Sequence, residues 1–344
     1  MAWRLAPIVA VLVATGCRGE DPPPAIPSLD RAENGIWMRR HWLHGGPEVD
    51  GHEDRLRADL AVATRANGVQ RLYPFLGPMD HEGHPGWRKA GVIHRYEPER
   101  VAAFTAAMAA LDPSLQVIPW TGGTWPHDVL FVDTERIDGF VEHTRALTHE
   151  LGAAGVQLNV EPMPSDTEGY LALLGAVKQA IGPDRVLSVA AYPPPTLHQP
   201  VEEVHWSLPF LRDVCLASDE VAVMAYDTGL KYRYLYRSLV ARWTRQLAET
   251  LPPPDQGGCV WLVGLPSYED DEPWHRPDVE TIDEAIRGVH DALEDGAPSN
   301  FRGVAVYASW TTDAQEWGLY DRLWREQEEP TAVVFPDLVL PDGS

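Results

Sequence analysis

Residues 155–162 read Gly-Val-Gln-Leu-Asn-Val-Glu-Pro, and this short segment decides the fold prediction. Its alternating, partly β-branched pattern predicts a strand, on which side chains two residues apart share a face. Gln157, Asn159 and Glu161 therefore point to one side, and the apolar residues between them point to the other. Polar groups on one face are costly to bury without a purpose. In a closed parallel barrel that face is the interior, and Glu161 lies at the mouth, where barrel enzymes carry out their chemistry.

A purely structural interpretation of the same segment stays open. Gln157 and Asn159 would then be buried hydrogen-bonding residues, and Glu161 would cap a helix that follows Pro162. The motif alone does not separate the two interpretations. The remainder of the chain favours a site.

Strand-like and helix-like segments alternate along the rest of the chain, which predicts parallel strands joined by right-handed helical crossovers. Eight such units in a 344-residue chain predict a closed (β/α)₈ barrel, a fold of about 250 residues. An open doubly wound sheet would call for a Gly-rich fingerprint after the first strand, and none is present. The predicted strands are 36–42, 70–75, 115–120, 155–162, 186–192, 220–226, 259–265 and 303–308, and the predicted helices are 53–66, 98–111, 134–151, 166–182, 208–217, 234–251, 277–293 and 313–324.

Composition limits the class of partner. The formal net charge is −23, from 28 Lys and Arg against 51 Asp and Glu, and such a surface repels phosphate backbones. Nucleic acid is therefore excluded as the expected partner. Some of the 13 Trp residues suit a sugar ligand, because aromatic faces are common platforms for sugar rings, while others are expected in the core. Five of them fall in predicted loops or at strand ends: Trp120, Trp125, Trp206, Trp274 and Trp310.

The first residues predict export. Residues 1–16 read as a signal peptide, with Arg4, a short apolar run and small residues before Cys17. This arrangement resembles the lipobox of bacterial lipoproteins, with Ala14 in place of the usual Leu, and it implies lipidation of Cys17. An ordinary signal peptide with an incidental Cys is the alternative. We expect attachment to a bacterial cell envelope by lipid only, at the outer membrane or facing the periplasm, or else secretion.

Four regions follow from these boundaries: the signal peptide, a Pro-rich tether over 17–33, a barrel over 34–328 and an acidic tail over 329–344. Cys215 and Cys259 could pair, although the sequence does not settle it. No His or Cys spacing fits a metal site, so we predict no metal and no cofactor. We expect a monomer.

Five segments resemble motifs of glycoside hydrolase family 18, the chitinases and their relatives. Residues 154–161 resemble the strand-four signature Asp-Gly-x-Asp-x-Asp-x-Glu, and Met224-Ala225-Tyr226-Asp227 resembles Met-x-Tyr-Asp at the end of strand six. The other matches are 187–190, 263–268 and 303–307, for strands five, seven and eight. All five keep the family's order, over about residues 35–325.

This resemblance implies substrate-assisted hydrolysis of an N-acetylated glycan. Glu161 would protonate the leaving oxygen, Tyr226 would hold the sugar's acetamido group, and Asp227 would tune Glu161 or bind the sugar. The resemblance also implies an aromatic floor on strand eight, for which Tyr307 is aligned and Trp310 is the substitute. The other ligand-contacting residues that we predict are Gln157, Met224, Trp120 and Tyr268.

The departures from the family pattern leave the function open. Ala154, Gln157 and Asn159 replace three aspartates, and Asn159 brings no charge to the position that normally carries it in the transition state. Loss of such an electrostatic group costs about 10²–10³ in rate in other enzymes. The alternatives are a hydrolase in which another acid, first of all Asp227, compensates or whose substrate is not a conventional chitin, a non-catalytic glycan-binding barrel, and a structural envelope protein whose mouth is plugged by its own loops.

Overall fold

The structure is a computed structural model that describes residues 26, 33–47, 49–129, 131–196, 201–267, 269–326, 331 and 333–336. The predicted signal peptide, Cys17 and Tyr268 lie outside the described residues. Of the predicted tether, Ile26 is described and is buried, and Glu33 forms an ion pair with Arg71.

Eight parallel strands close into a barrel, which confirms the predicted (β/α)₈ fold. Each strand pairs with the next, and the first pairs with both the second and the last, so that the sheet has no open edge. The barrel strands are β1 (Asn34–Met38), β2 (Val69–Pro78), a third strand in two segments, then β7 (Gly155–Val160), β8 (Val186–Ala191), β9 (Glu220–Met224), β10 (Val260–Pro266) and β11 (Phe301–Tyr307). The third strand consists of β5 (Gln116–Val117) and β6 (Trp120–Gly123), and an antiparallel hairpin of β3 (Gly86–Lys89) and β4 (Val92–Arg95) lies between the second and third strands of the barrel.

The helices surround the strands and turn their apolar sides toward them. In α2, for example, Leu60 and Ala63 are fully buried. The α-helices are α1 (His41–His44), α2 (Glu53–Ala66), α3 (Pro98–Leu111), α4 (Thr134–His149), α5 (Tyr170–Ile181), α6 (Leu208–Ala217), α7 (Arg233–Thr250), α8 (Ile282–Ala292) and α9 (Ala314–Leu323). Two 3₁₀ turns, Glu202–Val204 and Pro254–Gln256, complete the described elements.

Several element boundaries differ from the prediction for local reasons. The first strand ends at Met38 because Arg40 already has a helical backbone, and one helical turn follows it. The segment 77–96, which lies between the second predicted strand and the second predicted helix, contains the end of β2 and the β3–β4 hairpin. The helix α5 begins at Tyr170 rather than at Asp166, whose φ of 59° is incompatible with an α-helix.

A buried ion pair ties opposite sides of the barrel together near its amino end. Arg71 of β2 donates from Nε to Glu220 at the start of β9, and Tyr73 donates to the same carboxylate at 2.8 Å. Glu220 is fully buried. The Tyr73 ring also explains Gly35, because a Cβ atom there would lie 2.6 Å from that ring.

Two further contacts hold helices of the outer ring in place. Cys215 of α6 and Cys259, which directly precedes β10, form a disulfide, so the pairing that the sequence left open is present. Phe335, from the predicted tail, stacks on Trp317 of α9 with ring centroids 5.1 Å apart. Within the part of the chain that the structure describes, no helix is both long and apolar enough to cross a bilayer.

Replacing Glu220 with Gln should destabilise the barrel strongly, because Arg71 would keep its charge in a buried site and lose its buried partner. We expect the free energy of unfolding to fall by about 3–5 kcal/mol, measured by urea denaturation. As a control, Glu142→Gln removes a solvent-exposed ion pair with Arg145 and should leave the unfolding midpoint nearly unchanged. Equal midpoints for Glu220→Gln and the unmodified chain would contradict this assignment.

Candidate active site at the barrel mouth

Glu161 follows β7 directly and therefore lies at the carboxyl end of the barrel, as predicted. Its backbone N–H donates to the carbonyl of Gly123 at 3.1 Å, which extends the β6–β7 pairing by one residue and fixes the position of the side chain. The carboxyl group faces a cavity of about 220 Å³. The cavity is lined by Trp37, Trp120, Asn159, Glu161, Met224, Tyr226, Asp227 and Tyr307.

The cavity brings together seven of the residues that the sequence analysis singled out. They arrive from four of the barrel strands or from the residues directly after them, so only the closed barrel makes them neighbours. The seven are Glu161, Asn159, Tyr226, Asp227, Met224, Trp120 and Tyr307.

The environment of Glu161 favours its neutral form. Burial is the main cause that raises the pKa of this carboxyl, and the nearby negative charge of Asp227 raises it further. Hydrogen bonds from the Asn159 side chain and from Tyr192, whose hydroxyl lies 3.2 Å from Oε2, act in the opposite direction but do not outweigh burial. A carboxyl group whose pKa is raised in this way, beside an open cavity, is better suited to donate a proton than an ordinary glutamate.

Asn159 presents one satisfied and one unsatisfied group to the cavity. Its amide donates to Glu161, while Oδ1 is buried and has no hydrogen-bond partner among the described residues. A buried acceptor without a donor is costly, and a ligand N–H can supply that donor.

Three aromatic rings form one wall of the cavity. Tyr226 stacks on Tyr307 at a centroid distance of 5.4 Å, and Trp37 meets Tyr307 edge-on at 5.9 Å. Gly264 of β10 makes this packing possible, because a Cβ atom there would lie 2.9 Å from the Tyr226 ring. Burial raises the pKa of Tyr226, so its hydroxyl stays protonated and able to donate.

Asp227 stands at the rim in a backbone conformation that few residues adopt. Its φ is 60°, and its carboxylate lies 3.2 Å from Nδ1 of the largely buried His275. The next two residues are clamped by Glu280, which accepts from the Thr228 N–H at 3.1 Å, the Thr228 hydroxyl at 2.9 Å and the Gly229 N–H at 2.9 Å. This clamp keeps the rim turn in place and with it the Asp227 carboxylate.

Gln157 and Trp310 lie outside the cavity lining, in contrast to their predicted role as ligand contacts. Gln157 is fully buried one layer below, where it accepts from Trp37 Nε1 at 2.7 Å and donates to Ser188 Oγ at 3.0 Å. It therefore supports the Trp37 ring rather than facing a ligand. Trp310 packs edge-on against Tyr307 with centroids 5.6 Å apart, and Tyr307 itself occupies the cavity wall.

The other tryptophans divide by position. Trp206 is buried and donates to the Met163 carbonyl at 2.8 Å, which makes it a core residue. Trp274 is 56% exposed on the loop that carries His275. Trp120 stacks on Phe75 with centroids 4.0 Å apart, and its side chain lines the cavity.

Sequence reasoning missed Tyr192, Trp37 and the hairpin. Tyr192 directly follows β8, the same strand-end position that drew attention to Glu161 and Tyr226, so that signal was available. Trp37 lies inside a strand and gave no sign that its ring reaches the mouth. The hairpin was hidden in a Gly- and His-rich segment without apolar alternation.

No known family profile matches this chain, and no curated protein matches it in sequence. Solved structures do match. A chitinase from Rhizomucor miehei aligns with a TM-score of 0.57 at 13% identity, over 86% of this chain and 100% of its own. The spore cortex-lytic enzyme SleL of Bacillus cereus gives 0.55 at 13% identity, over 84% and 73%. A family 18 chitinase mutant from Cycas revoluta, in complex with (GlcNAc)₄, gives 0.53 at 16% identity, over 80% and 95%.

The fold is that of the family 18 glycoside hydrolases. The resemblance seen in the sequence motifs is thereby confirmed at the level of the barrel. At these identities the likeness establishes the family 18-type barrel alone, so the chemistry has to be argued from the residues of this chain.

Glu280 should make folding stability depend on pH. Burial raises its pKa to about 7 from an ordinary 4.5, so between these values the folded protein binds a proton that the unfolded chain releases. Stability therefore falls as pH rises through this window, by roughly 3 kcal/mol for this group. We expect Glu280→Gln to remove that part of the slope in denaturation measured across pH, and Glu168→Gln, at an exposed position, to retain it. An unchanged slope in Glu280→Gln would contradict the assignment.

Proposed function

We propose that this protein is a glycoside hydrolase that cleaves an N-acetylated glycan with the help of the substrate's own acetamido group, and that Glu161 is the general acid. One observation carries the proposal. A carboxyl group with a raised pKa shares a cavity of about 220 Å³ with a tyrosine hydroxyl and a buried, unpaired amide oxygen. These three groups would supply the proton, hold the acetamido carbonyl and accept from the acetamido N–H.

In the first step Glu161 gives its proton to the glycosidic oxygen as the bond from that oxygen to the anomeric carbon breaks. The acetamido carbonyl oxygen of the same sugar attacks the anomeric carbon and closes an oxazolinium ring. In the second step water adds to that carbon and opens the ring, and the Glu161 carboxylate takes up the proton from the water. The cycle leaves the enzyme unchanged and consumes one water for each bond.

The neighbours of Glu161 supply positioning. Tyr226 is placed to donate to the acetamido oxygen, and Asn159 Oδ1 is placed to accept from the acetamido N–H, which would satisfy its missing donor. The stacked Tyr226 and Tyr307 rings give the sugar an apolar wall. Asp227 is the carboxylate that can stabilise positive charge at the anomeric carbon, since Asn159 is neutral.

The neutral side chain of Asn159 also favours a second candidate function, a glycan-binding barrel without turnover. The amide oxygen at position 159 can accept from an acetamido N–H, but it contributes no charge to a cationic transition state. In this alternative the cavity has the same ligand, and only the rate differs.

The setting of the activity is a separate proposal that depends on the sequence alone. Cys17, after a signal-like segment, would carry lipid and hold the barrel at a bacterial envelope surface, with carbohydrate as the partner. The chain would act there as a monomer.

A turnover assay with Glu161→Gln tests the proposal. The wild-type chain should release reducing ends from one member of a panel of chitin oligomers, peptidoglycan and other N-acetylated glycans, and Glu161→Gln should lose about 10²–10⁴-fold of that rate. Glu168→Gln removes a carboxylate from the same loop region at an exposed position and should keep full activity.

The same assay distinguishes the hydrolase from the glycan-binding barrel. Affinity for a glycan without wild-type turnover on any member of the panel would support the binding barrel. Product release that is equal in Glu161→Gln and the wild type would contradict the hydrolase.

A further inference from the structure

A second, outer cleft of about 430 Å³ opens beside the cavity. The two spaces share Trp120, Asn159 and Glu161 in their linings, so they meet at the proposed acid. A glycan that occupied both would have the bond to be cleaved at Glu161 and its neighbouring sugar in the outer cleft. Trp120, stacked on Phe75, offers that sugar an aromatic surface.

The β3–β4 hairpin and the turn after β1 bring two arginines to this outer cleft. The guanidinium group of Arg40 lies over the Trp87 ring, 4.5 Å from its centroid. Arg88, the next residue along β3, forms an ion pair with Asp128, which is itself held by the Thr124 N–H at 3.1 Å. Both guanidinium groups are therefore fixed in position at the edge of the cleft.

Arg88 retains hydrogen-bonding capacity. Only its Nη2 group bonds to Asp128, and the Nε and Nη1 groups have no partner among the residues that the structure describes. The side chain is 47% exposed. Because a guanidinium group carries five N–H donors in a fixed plane, the remaining donors can bind a second planar anion.

The charge of the cleft contrasts with that of the chain. The chain carries 51 acidic and 28 basic residues, whereas the outer cleft has two arginines against Asp128 and Glu161. Asp128 is engaged by Arg88. A carboxylate can accept two parallel hydrogen bonds from a guanidinium group and neutralise its charge, whereas a neutral chitin chain offers only uncharged hydroxyl and acetamido oxygens.

We propose that the outer cleft binds a sugar that carries a carboxylate, so that the substrate is an acidic N-acetylated glycan rather than a neutral one. This inference depends on the proposed function, because it places the acidic sugar next to the bond at Glu161. Arg40 and Arg88 would contact the carboxylate from adjacent positions.

Binding measurements with matched ligands test this inference. The probes are a tetrasaccharide of alternating N-acetylglucosamine and N-acetylmuramic acid, the same compound with its carboxylates methylated, and chitotetraose. Titration calorimetry in a Glu161→Gln background prevents turnover. We expect the free acid to bind about tenfold more tightly than its methyl ester, the scale of one charge-assisted hydrogen bond. This preference should shrink as salt rises from about 0.1 M to about 1 M.

Variants then test which residues cause the preference for the free acid over its methyl ester. Arg40→Gln and Arg88→Gln should each lose most of this preference while they bind chitotetraose as before. Arg245→Gln, at an exposed position on α7, removes the same charge elsewhere and should retain the preference.

The outcomes distinguish this inference from the proposed function. Equal affinity for acid and ester, or an equal loss of affinity for acid and chitotetraose in both arginine variants, would overturn the acidic subsite and leave the hydrolase intact. Failure of all three probes to bind, together with no turnover by the wild-type chain on the glycan panel, would overturn the proposed function and the subsite with it.

Discussion

The partial desolvation of one carboxyl group is the constraint on which the candidate site depends. Glu161 is held directly after a strand at the mouth of a closed ring of strands, where its side chain is half-buried and its carboxyl is partly removed from solvent. Desolvation, more than any single neighbour, raises the pKa of the group. The same residue on an open sheet edge would be hydrated, and its pKa would lose the rise that burial causes.

Three layers of polar contacts support that position from below and from the side. At the amino end the Arg71–Glu220 pair joins opposite strands, and above it Gln157 holds the Trp37 ring under the cavity. At the rim, Glu280 holds the turn that follows Asp227. Each layer buries polar groups that are costly unless paired, so each restricts the barrel to one arrangement of its interior. Arg71, Glu220 and Gln157 do not line the cavity, whereas the Trp37 ring that Gln157 holds does.

The sequence predicted most of the fold and the centre of the site, because both depend on local patterns. Alternation in 155–162 gave the inward face, and strand ends gave Glu161, Tyr226 and Asp227. The sequence could not show how deep along the barrel axis each side chain lies. Gln157 shares a face with Glu161 yet lies one layer too deep to meet a ligand, and only the stagger of the closed strands determines this.

Contacts between distant segments were also beyond the sequence. The hydrogen bond of Tyr192 to Glu161 and the clamp by Glu280 join residues separated by tens of positions. The same is true of the Arg88–Asp128 ion pair and of the packing of Arg40 on Trp87. Charge counts over the whole chain concealed the arginines of the outer cleft, since a net charge of −23 says nothing about where the few cations lie. The charge at one site can differ from the average charge of the surface.

The central claim is that Glu161 holds its proton more tightly than an ordinary glutamate does. Carbon-13 NMR of protein labelled at the glutamate side-chain carboxyls, titrated with pH and compared with Glu161→Gln to assign the resonance, measures this directly. We predict a midpoint above the ordinary value of 4.5, higher still in Tyr192→Phe, which loses a hydrogen bond to the carboxylate, and lower in Asp227→Asn, which loses a neighbouring charge. A midpoint at or below 4.5 in the unmodified protein would contradict the account.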